Sequence, residues 1–107
     1  MDSSFLPAGS TVVFRTQLPL PHPYLAPRTA TEQRLAEIWS ASLNMDRVGV
    51  NDDYFDLGGD SFMATVIFSM IESTFGIAIP IGTLVDASTI AKLAEKIDAV
   101  PGGTVTG

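Results

Sequence analysis

Three separate stretches of this chain space their apolar residues at helical intervals, and this feature constrains the fold more than any other. No stretch of the sequence alternates apolar and polar residues convincingly as a β-strand would. The 107 residues, 46% of them hydrophobic, suffice for one small domain with its own core. The sequence therefore predicts an all-α fold, a small bundle of three main helices plus one short helix.

The first predicted helix begins after Thr29 and runs to about Leu43. Thr29 and Glu32 have the spacing of a capping box, in which the threonine caps the first turn and the glutamate reaches back to the cap residue. Trp39 falls on the apolar face of this helix and is expected to belong to the core. That face is expected to contain Leu35, Ile38, Trp39, Ser42 and Leu43.

The second predicted helix runs from about Ser61 to Phe75 and ends at Gly76. A helical wheel places Phe62 on the polar side of this helix, beside Ser61. The inward stripe is expected to contain Met63, Val66, Ile67, Met70 and Ile71.

A short helix and a last helix complete the prediction. The short one is expected at residues 81–84, after Pro80. The last one is expected to start with Ser88 as its N-cap and to end near Ile97. Its inward residues are predicted to be Ile90, Leu93, Ala94 and Ile97.

Prolines divide the chain unevenly. Five of the seven lie in residues 1–27, where they favour extended polyproline II structure and prevent a regular helix. The sequence therefore predicts an extended Pro-rich N-terminal arm or linker over residues 1–27, a folded domain over residues 28–98 and a flexible C-terminal tail over residues 99–107.

The net charge of −6 excludes several classes of function. Nucleic-acid binding is not expected, because phosphate contacts need Lys and Arg, and a positively charged protein is the more natural partner. Five aspartates and one arginine lie in residues 46–60. Asp52, Asp53 and Asp56 match the letters of a DDxxD magnesium motif, but terpene synthases with that motif are far larger. We interpret these aspartates as loop caps and an acidic recognition surface, with no metal site.

Other absences in the sequence set further expectations. The chain has no cysteine, which excludes disulfides and thiolate metal sites. It has no recognisable signal peptide and no apolar run long enough to span a bilayer. A cytoplasmic, monomeric protein without membrane contact is the default expectation.

A long loop over residues 44–60 ends at Gly58-Gly59-Asp60-Ser61, where the second helix begins. One interpretation is structural: Asp60 or Ser61 caps the helix, and the glycines make the turn. If Asp60 takes the cap, the hydroxyl of Ser61 is displayed in the first turn. Helix N-termini favour anions, so a phosphodiester formed on this hydroxyl would be stabilised there.

Two other classes of function are weighed against an attachment role. A serine hydrolase needs a base near Ser61, and the only histidine, His22, lies in the Pro-rich arm. We therefore predict no catalytic residue. The second alternative is a non-catalytic acidic helical interaction module whose Pro-rich arm is bound by an SH3-like partner.

Leu57-Gly58-Gly59-Asp60-Ser61 resembles the phosphopantetheine attachment motif of peptidyl carrier proteins, the thiolation domains of non-ribosomal peptide synthetases. The glycine pair before Asp-Ser favours a peptidyl carrier over a fatty-acid or polyketide carrier. Four further segments resemble the family in order and spacing, at residues 26–29, 32–39, 48–55 and 89–94.

The resemblance implies the chemistry and the partners. A phosphopantetheinyl transferase, with its own magnesium, would move 4′-phosphopantetheine from coenzyme A onto Ser61. The thiol of this group would carry an aminoacyl or peptidyl thioester between an adenylation domain, condensation or tailoring enzymes and a thioesterase. The sequence names neither the cargo nor the product, and leaves open whether the carrier stands alone or belongs to a larger synthetase.

Two sets of residues are candidates for partner docking. Asp60, Phe62 and Thr65 lie around the attachment serine, and aromatic residues such as Phe62 are favoured at interface centres. The stretch from Leu18 to Pro21 is similar to the Leu-Pro-x-Pro linker that docks on an adenylation domain, so Leu18, Pro19 and Pro21 are candidates as well. The alternative for this stretch is a generic spacer.

Overall fold

The computed structural model describes residues 12–100 and folds them into four α-helices. These are α1 (Ala30–Leu43), α2 (Ser61–Phe75), α3 (Thr83–Asp86) and α4 (Ile90–Asp98). Helix α1 packs against both α2 and α4, and β pairing within residues 12–100 is limited to two isolated bridges. The predicted all-α bundle of three main helices and one short helix is confirmed.

The two predicted terminal segments lie partly outside the described residues. Of the arm at residues 1–27 the structure describes residues 12–27, and of the tail at residues 99–107 it describes only the first two residues. Within the described part of the chain, no helix is both long enough and apolar enough to cross a membrane.

The core lies between α1, α2, α4 and the loop at residues 44–60. Trp39 and Tyr54 are both fully buried there, with ring centroids 5.4 Å apart in an edge-to-face arrangement. Full burial of each aliphatic side chain beside them contributes about 1.5–3 kcal/mol. The largest fully buried aliphatic side chains in this core are Leu35, Ile67, Ile71, Ile90, Leu93 and Ile97.

Thr29 and Glu32 interact at the start of α1 as the predicted capping box requires. The hydroxyl of Thr29 accepts a 3.1 Å hydrogen bond from the Glu32 N–H. The backbone N–H of Thr29 is among the groups that lower the pKa of the Glu32 carboxylate, which therefore reaches back toward the cap residue as predicted. The carboxylate also accepts from the Arg28 N–H at 2.8 Å and pairs with the Arg28 guanidinium at 2.8 Å. The hydrogen bond from the Arg28 guanidinium is the main cause that lowers the pKa of Glu32.

The buried face of α2 differs from the predicted stripe. Ile67 and Ile71 are buried as expected, whereas Val66 and Met70 are each 38% exposed. The other buried residues of this helix are Ala64, Phe68 and Phe75. Because α2 carries apolar residues around most of its circumference, periodicity alone could not choose the face that meets α1.

Helices α3 and α4 both begin later than predicted. The Pro80 carbonyl accepts a 2.9 Å hydrogen bond from the Thr83 N–H, which forms a turn where the short helix was expected. Thr89 caps α4 through a 3.3 Å bond from the Lys92 N–H to its hydroxyl. Ser88 is not the cap, because its hydroxyl donates to Asp53 at 2.6 Å. All four inward residues predicted for α4 are buried.

Candidate functional site

Asp60 caps the N-terminus of α2. Its backbone is extended, and its carboxylate accepts a 2.8 Å hydrogen bond from the Met63 N–H. Ser61 is consequently the first residue of the helix. The structure thus chooses between the two caps that the sequence left open, and it leaves the serine hydroxyl without a capping role.

Ser61 presents its hydroxyl to solvent at this helix start. The residue is exposed, and within residues 12–100 its hydroxyl has no hydrogen-bond partner. Its carbonyl accepts from the Thr65 hydroxyl at 3.1 Å, one turn further along α2. The helix dipole favours negative charge at this position, so a phosphodiester on Ser61 would be stabilised by the helix.

The two glycines before Asp60 are required for different reasons. Gly58 has a φ of 88°, in the left-handed region that favours glycine. Gly59 lies against the ring of Tyr54, and a Cβ built there would come within 2.2 Å of the ring. The sequence predicted that the glycines make the turn; the structure shows that Gly59 also lets the loop pass over Tyr54.

Tyr54 supports the attachment loop, our name for the loop at residues 44–60, from inside the core. No motif in the sequence predicted this role. Its hydroxyl donates a 2.7 Å hydrogen bond to the Asp60 carbonyl, and its own carbonyl accepts from the Gly59 N–H at 3.1 Å. Burial, together with the nearby charge of Asp60, raises the pKa of Tyr54, so the phenol remains a donor at neutral pH. No local pattern signals this contact, because it forms only when the loop folds back.

An apolar cleft of about 280 Å³ opens beside Ser61. Its walls come from α2, α3 and the attachment loop. Phe55 is one of these walls and is 54% exposed. The cleft is lined by Phe55, Asp60, Ser61, Ala64, Thr65, Ile81, Gly82, Leu84 and Val85.

The candidate docking residues on α2 surround the serine. Phe62 is 75% exposed, consistent with its predicted place on the outer side of the helix. Thr65 is exposed as well, although its hydroxyl is bonded to the Ser61 carbonyl. On α3, Val85 is 78% exposed and lies at the same cleft, a contribution that the sequence analysis did not identify.

The candidate docking residues of the arm do not line this cleft. Leu18 is half-buried and packs against the core of the domain, whereas Pro19 and Pro21 are exposed. Leu20 also packs partly against the core.

The aspartates of the loop do not form a continuous acidic surface. Asp52 is buried and pairs with Arg15, and Asp53 accepts from Ser88 and from the Phe55 N–H. The exposed acids next to the serine are Asp56 and Asp60. Within residues 12–100 no cluster of acidic and histidine side chains could hold a metal ion.

The site displays a nucleophilic atom without the means to activate it. His22 is not among the residues that line the cleft, and neither carboxylate next to Ser61 bonds to its hydroxyl. The arrangement is suited to a hydroxyl that is modified by another protein.

Comparisons with known proteins assign the family. Residues 33–97 match the family described as "Phosphopantetheine attachment site". A linear gramicidin synthase from Brevibacillus parabrevis is 46% identical over 83 residues, which are 78% of this chain and 2% of that protein. A chondramide synthase of Chondromyces crocatus is 44% identical over 92 residues, which are 86% of this chain and 2% of that protein.

Solved structures agree with this assignment. A chain in the complex of the phosphopantetheine transferase Sfp with coenzyme A and a peptidyl carrier protein is 30% identical, with a TM-score of 0.70; the match covers 72% of this chain and all of that one. The solution structure of an active-site mutant of a peptidyl carrier protein is 27% identical, with a TM-score of 0.72, and the match covers 80% of this chain and 94% of that one.

The chain therefore belongs to the phosphopantetheine attachment-site family, and it is a carrier domain of the peptidyl type found in non-ribosomal peptide synthetases. It is acted on by other enzymes and is not itself a catalyst, as predicted. Its cofactor is 4′-phosphopantetheine, which derives from coenzyme A. The chain spans only about 2% of the length of the curated relatives named above.

Proposed function

We propose that Ser61 is the residue to which 4′-phosphopantetheine is attached. The observation that carries this proposal is the exposed Ser61 hydroxyl, without a partner in residues 12–100, at the start of α2, where Asp60 has already taken the cap. The serine lies inside the matched residues 33–97 and follows the Gly58-Gly59-Asp60 sequence.

The residues around Ser61 fit the phosphopantetheine group. The exposed hydroxyl is accessible to a phosphopantetheinyl transferase, which would bring coenzyme A and magnesium. The helix start would stabilise the phosphodiester, and the glycines place no side chain beside it. When attached, the group supplies a thiol that holds an aminoacyl or peptidyl thioester.

The physical role of the domain would be tethering. A flexible covalent arm keeps one intermediate at high effective concentration around each partner in turn. The partners of this proposal are the transferase, an adenylation domain, condensation or tailoring enzymes and a thioesterase. The expected cytoplasmic location and monomeric state belong to the same proposal.

The docking surface and the division of the chain complete the proposal. Asp60, Phe62 and Thr65 would contact partners around the phosphopantetheine group on Ser61. Their exposure supports this role. Residues 28–98 would form the carrier unit, in agreement with the matched span of residues 33–97. Leu18, Pro19 and Pro21 would dock the arm of residues 1–27 on an adenylation domain, and residues 99–107 would form a tail.

A mass measurement tests Ser61 directly. The purified chain is incubated with coenzyme A, magnesium and a broad-specificity phosphopantetheinyl transferase, and its intact mass is compared before and after. We expect the wild-type chain to gain one phosphopantetheine and Ser61→Ala to gain none. Ser69→Ala, which removes another exposed serine of α2, is the matched control and should gain the group like wild type. A gain by Ser61→Ala would assign the attachment to another residue.

A further inference from the structure

The N-terminal arm contributes a buried charge to the carrier domain. Arg15 is only 8% exposed although it lies in the Pro-rich segment, and its partner Asp52 is 1% exposed. Arginine and aspartate are almost never buried unless they are paired. A generic spacer would not be expected to bury an arginine, so this pair indicates a structural role for the segment around Arg15.

The ion pair between Arg15 and Asp52 is bidentate, and each side chain has a further hydrogen bond. Arg15 Nε donates to Asp52 Oδ2 at 2.6 Å, and Arg15 Nη2 donates to Asp52 Oδ1 at 2.6 Å. Asp52 also accepts from the Gly49 N–H at 2.8 Å, and Arg15 Nη2 donates to the His22 carbonyl at 2.7 Å. This two-point geometry fixes the direction of both side chains.

Backbone contacts join the same segments on either side of Arg15. Val13 forms a parallel bridge with Met45, and the N–H of Arg15 donates to the Asp46 carboxylate at 2.7 Å. Further along the arm, the Leu25 carbonyl accepts from the Val50 N–H at 3.0 Å. The arm is thus held to the loop at residues 44–60 at several points.

This loop leads directly to the attachment serine. Asp52 is two residues before Tyr54, whose hydroxyl holds the Asp60 carbonyl and whose ring lies against Gly59. Ser61 directly follows Asp60 in the chain. A short covalent and hydrogen-bonded path therefore connects Arg15 with the start of α2.

We propose that residues 12–27 form a strap across the attachment loop, and that Arg15, through Asp52, is a positioning residue for the modification of Ser61. The strap lies before the family match at residues 33–97. The inference rests on the proposed role of Ser61.

The physical reason is the cost of an unpaired buried charge. Without Arg15, the Asp52 carboxylate would remain buried among backbone groups, and the loop would open to hydrate it. Opening would release the packing of Tyr54 beneath Gly59 and Asp60. The transferase would then meet a mobile Ser61 instead of a preorganised one.

The test compares Arg15→Met with wild type in the full chain. We expect Arg15→Met to speed amide hydrogen exchange of Val50 and Tyr54 by about tenfold or more, with little change in α4. We also expect kcat/KM for coenzyme A-dependent modification of Ser61 to fall several-fold, under conditions where circular dichroism shows the variant to be folded.

Two further variants make the result specific. Arg28→Met removes an arginine from another carboxylate pair, that with Glu32 at the start of α1, and should leave exchange in the loop and the modification rate unchanged. Arg15→Lys keeps the charge but loses the two-point geometry, and should fall between wild type and Arg15→Met. It also serves if Arg15→Met does not fold.

Each outcome decides the proposal. Faster loop exchange with a lower modification rate supports it. An unchanged modification rate in folded Arg15→Met, or exchange that rises equally in the loop and in α4, overturns it, because the pair would then be a general stabiliser. If even the wild-type chain gains no phosphopantetheine, the role of Ser61 fails, while the exchange data still report whether the strap holds the loop.

Discussion

At the scale of single residues, Tyr54 positions the proposed attachment site although it has no hydrogen bond to Ser61. Tyr54 is fully buried, yet its ring and hydroxyl fix Gly59 and Asp60 directly before Ser61. The serine can remain free because Asp60 supplies the cap. The Ser61 hydroxyl thus stays exposed because the Asp60 carboxylate binds the Met63 N–H, while the Tyr54 hydroxyl binds the Asp60 carbonyl.

Gly59→Ala tests the close approach to Tyr54. The added Cβ would lie 2.2 Å from the ring, so the ring or the loop must move, and we expect a loss of about 1–3 kcal/mol of stability. Gly82→Ala is the matched control, because its Cβ meets nothing within 4 Å and its φ of −62° suits alanine. Urea unfolding of both variants provides the comparison. Equal stability of the two would mean that the Tyr54 ring does not constrain Gly59.

At the scale of elements, a side-chain cap stabilises the first turn of each of the three longer helices. Thr29, Asp60 and Thr89 cap α1, α2 and α4 through the N–H three residues on. Each such cap contributes about 1 kcal/mol. Helix α1 has an additional device, since the buried Glu32 carboxylate binds both the N–H and the guanidinium of Arg28.

The Glu32 interaction should make the stability of α1 depend on pH. The pKa of the Glu32 carboxyl is lower in the folded chain than in the unfolded chain, mainly because of the hydrogen bond from the Arg28 side chain. The stabilisation is therefore complete above the ordinary glutamate pKa of about 4.3 and is lost as the pH falls through the lower folded value. We expect wild type to be more stable than Glu32→Gln at neutral pH, with the difference shrinking in acid. Urea midpoints across this range measure it, and a constant difference would contradict the assignment.

At the scale of the whole molecule, folding buries some acidic side chains in ion pairs and leaves other acidic and apolar side chains exposed near Ser61. Asp52 and Glu32 are buried in pairs with Arg15 and Arg28, which removes them from the acidic surface that the net charge of −6 implies. The exposed acids next to Ser61 remain available to a basic partner. Phe62, which follows Ser61 in the chain, and Val85, which lines the cleft beside Ser61, are both exposed apolar side chains.

Phe62→Ala tests whether this surface serves docking. Because Phe62 is 75% exposed, we expect stability to change by less than about 0.5 kcal/mol, whereas loading and condensation by partner enzymes should slow. Met70→Ala, another partly exposed apolar position of α2, is the control and should leave partner turnover unchanged. If Phe62→Ala is loaded and condensed like wild type, Phe62 is not a docking residue.

The sequence by itself determined the helical elements and the candidate attachment residue. Caps and helical periodicity are local, so the ends of α1 and α2 and the buried face of α4 could be read from neighbouring residues. The Leu57-to-Ser61 motif is also contiguous, and the family it indicated was confirmed.

Only the tertiary structure decided which face of α2 is buried, why Gly59 must be glycine, and where Asp52 and Arg15 lie. These features depend on side chains that are far apart in the chain, such as Arg15 and Asp52, which are 37 positions apart. Periodicity and motifs report only local spacing, whereas a buried pair forms only where the folded core brings its partners together. For that reason the contacts of residues 12–27 with the attachment loop could not be predicted from the sequence.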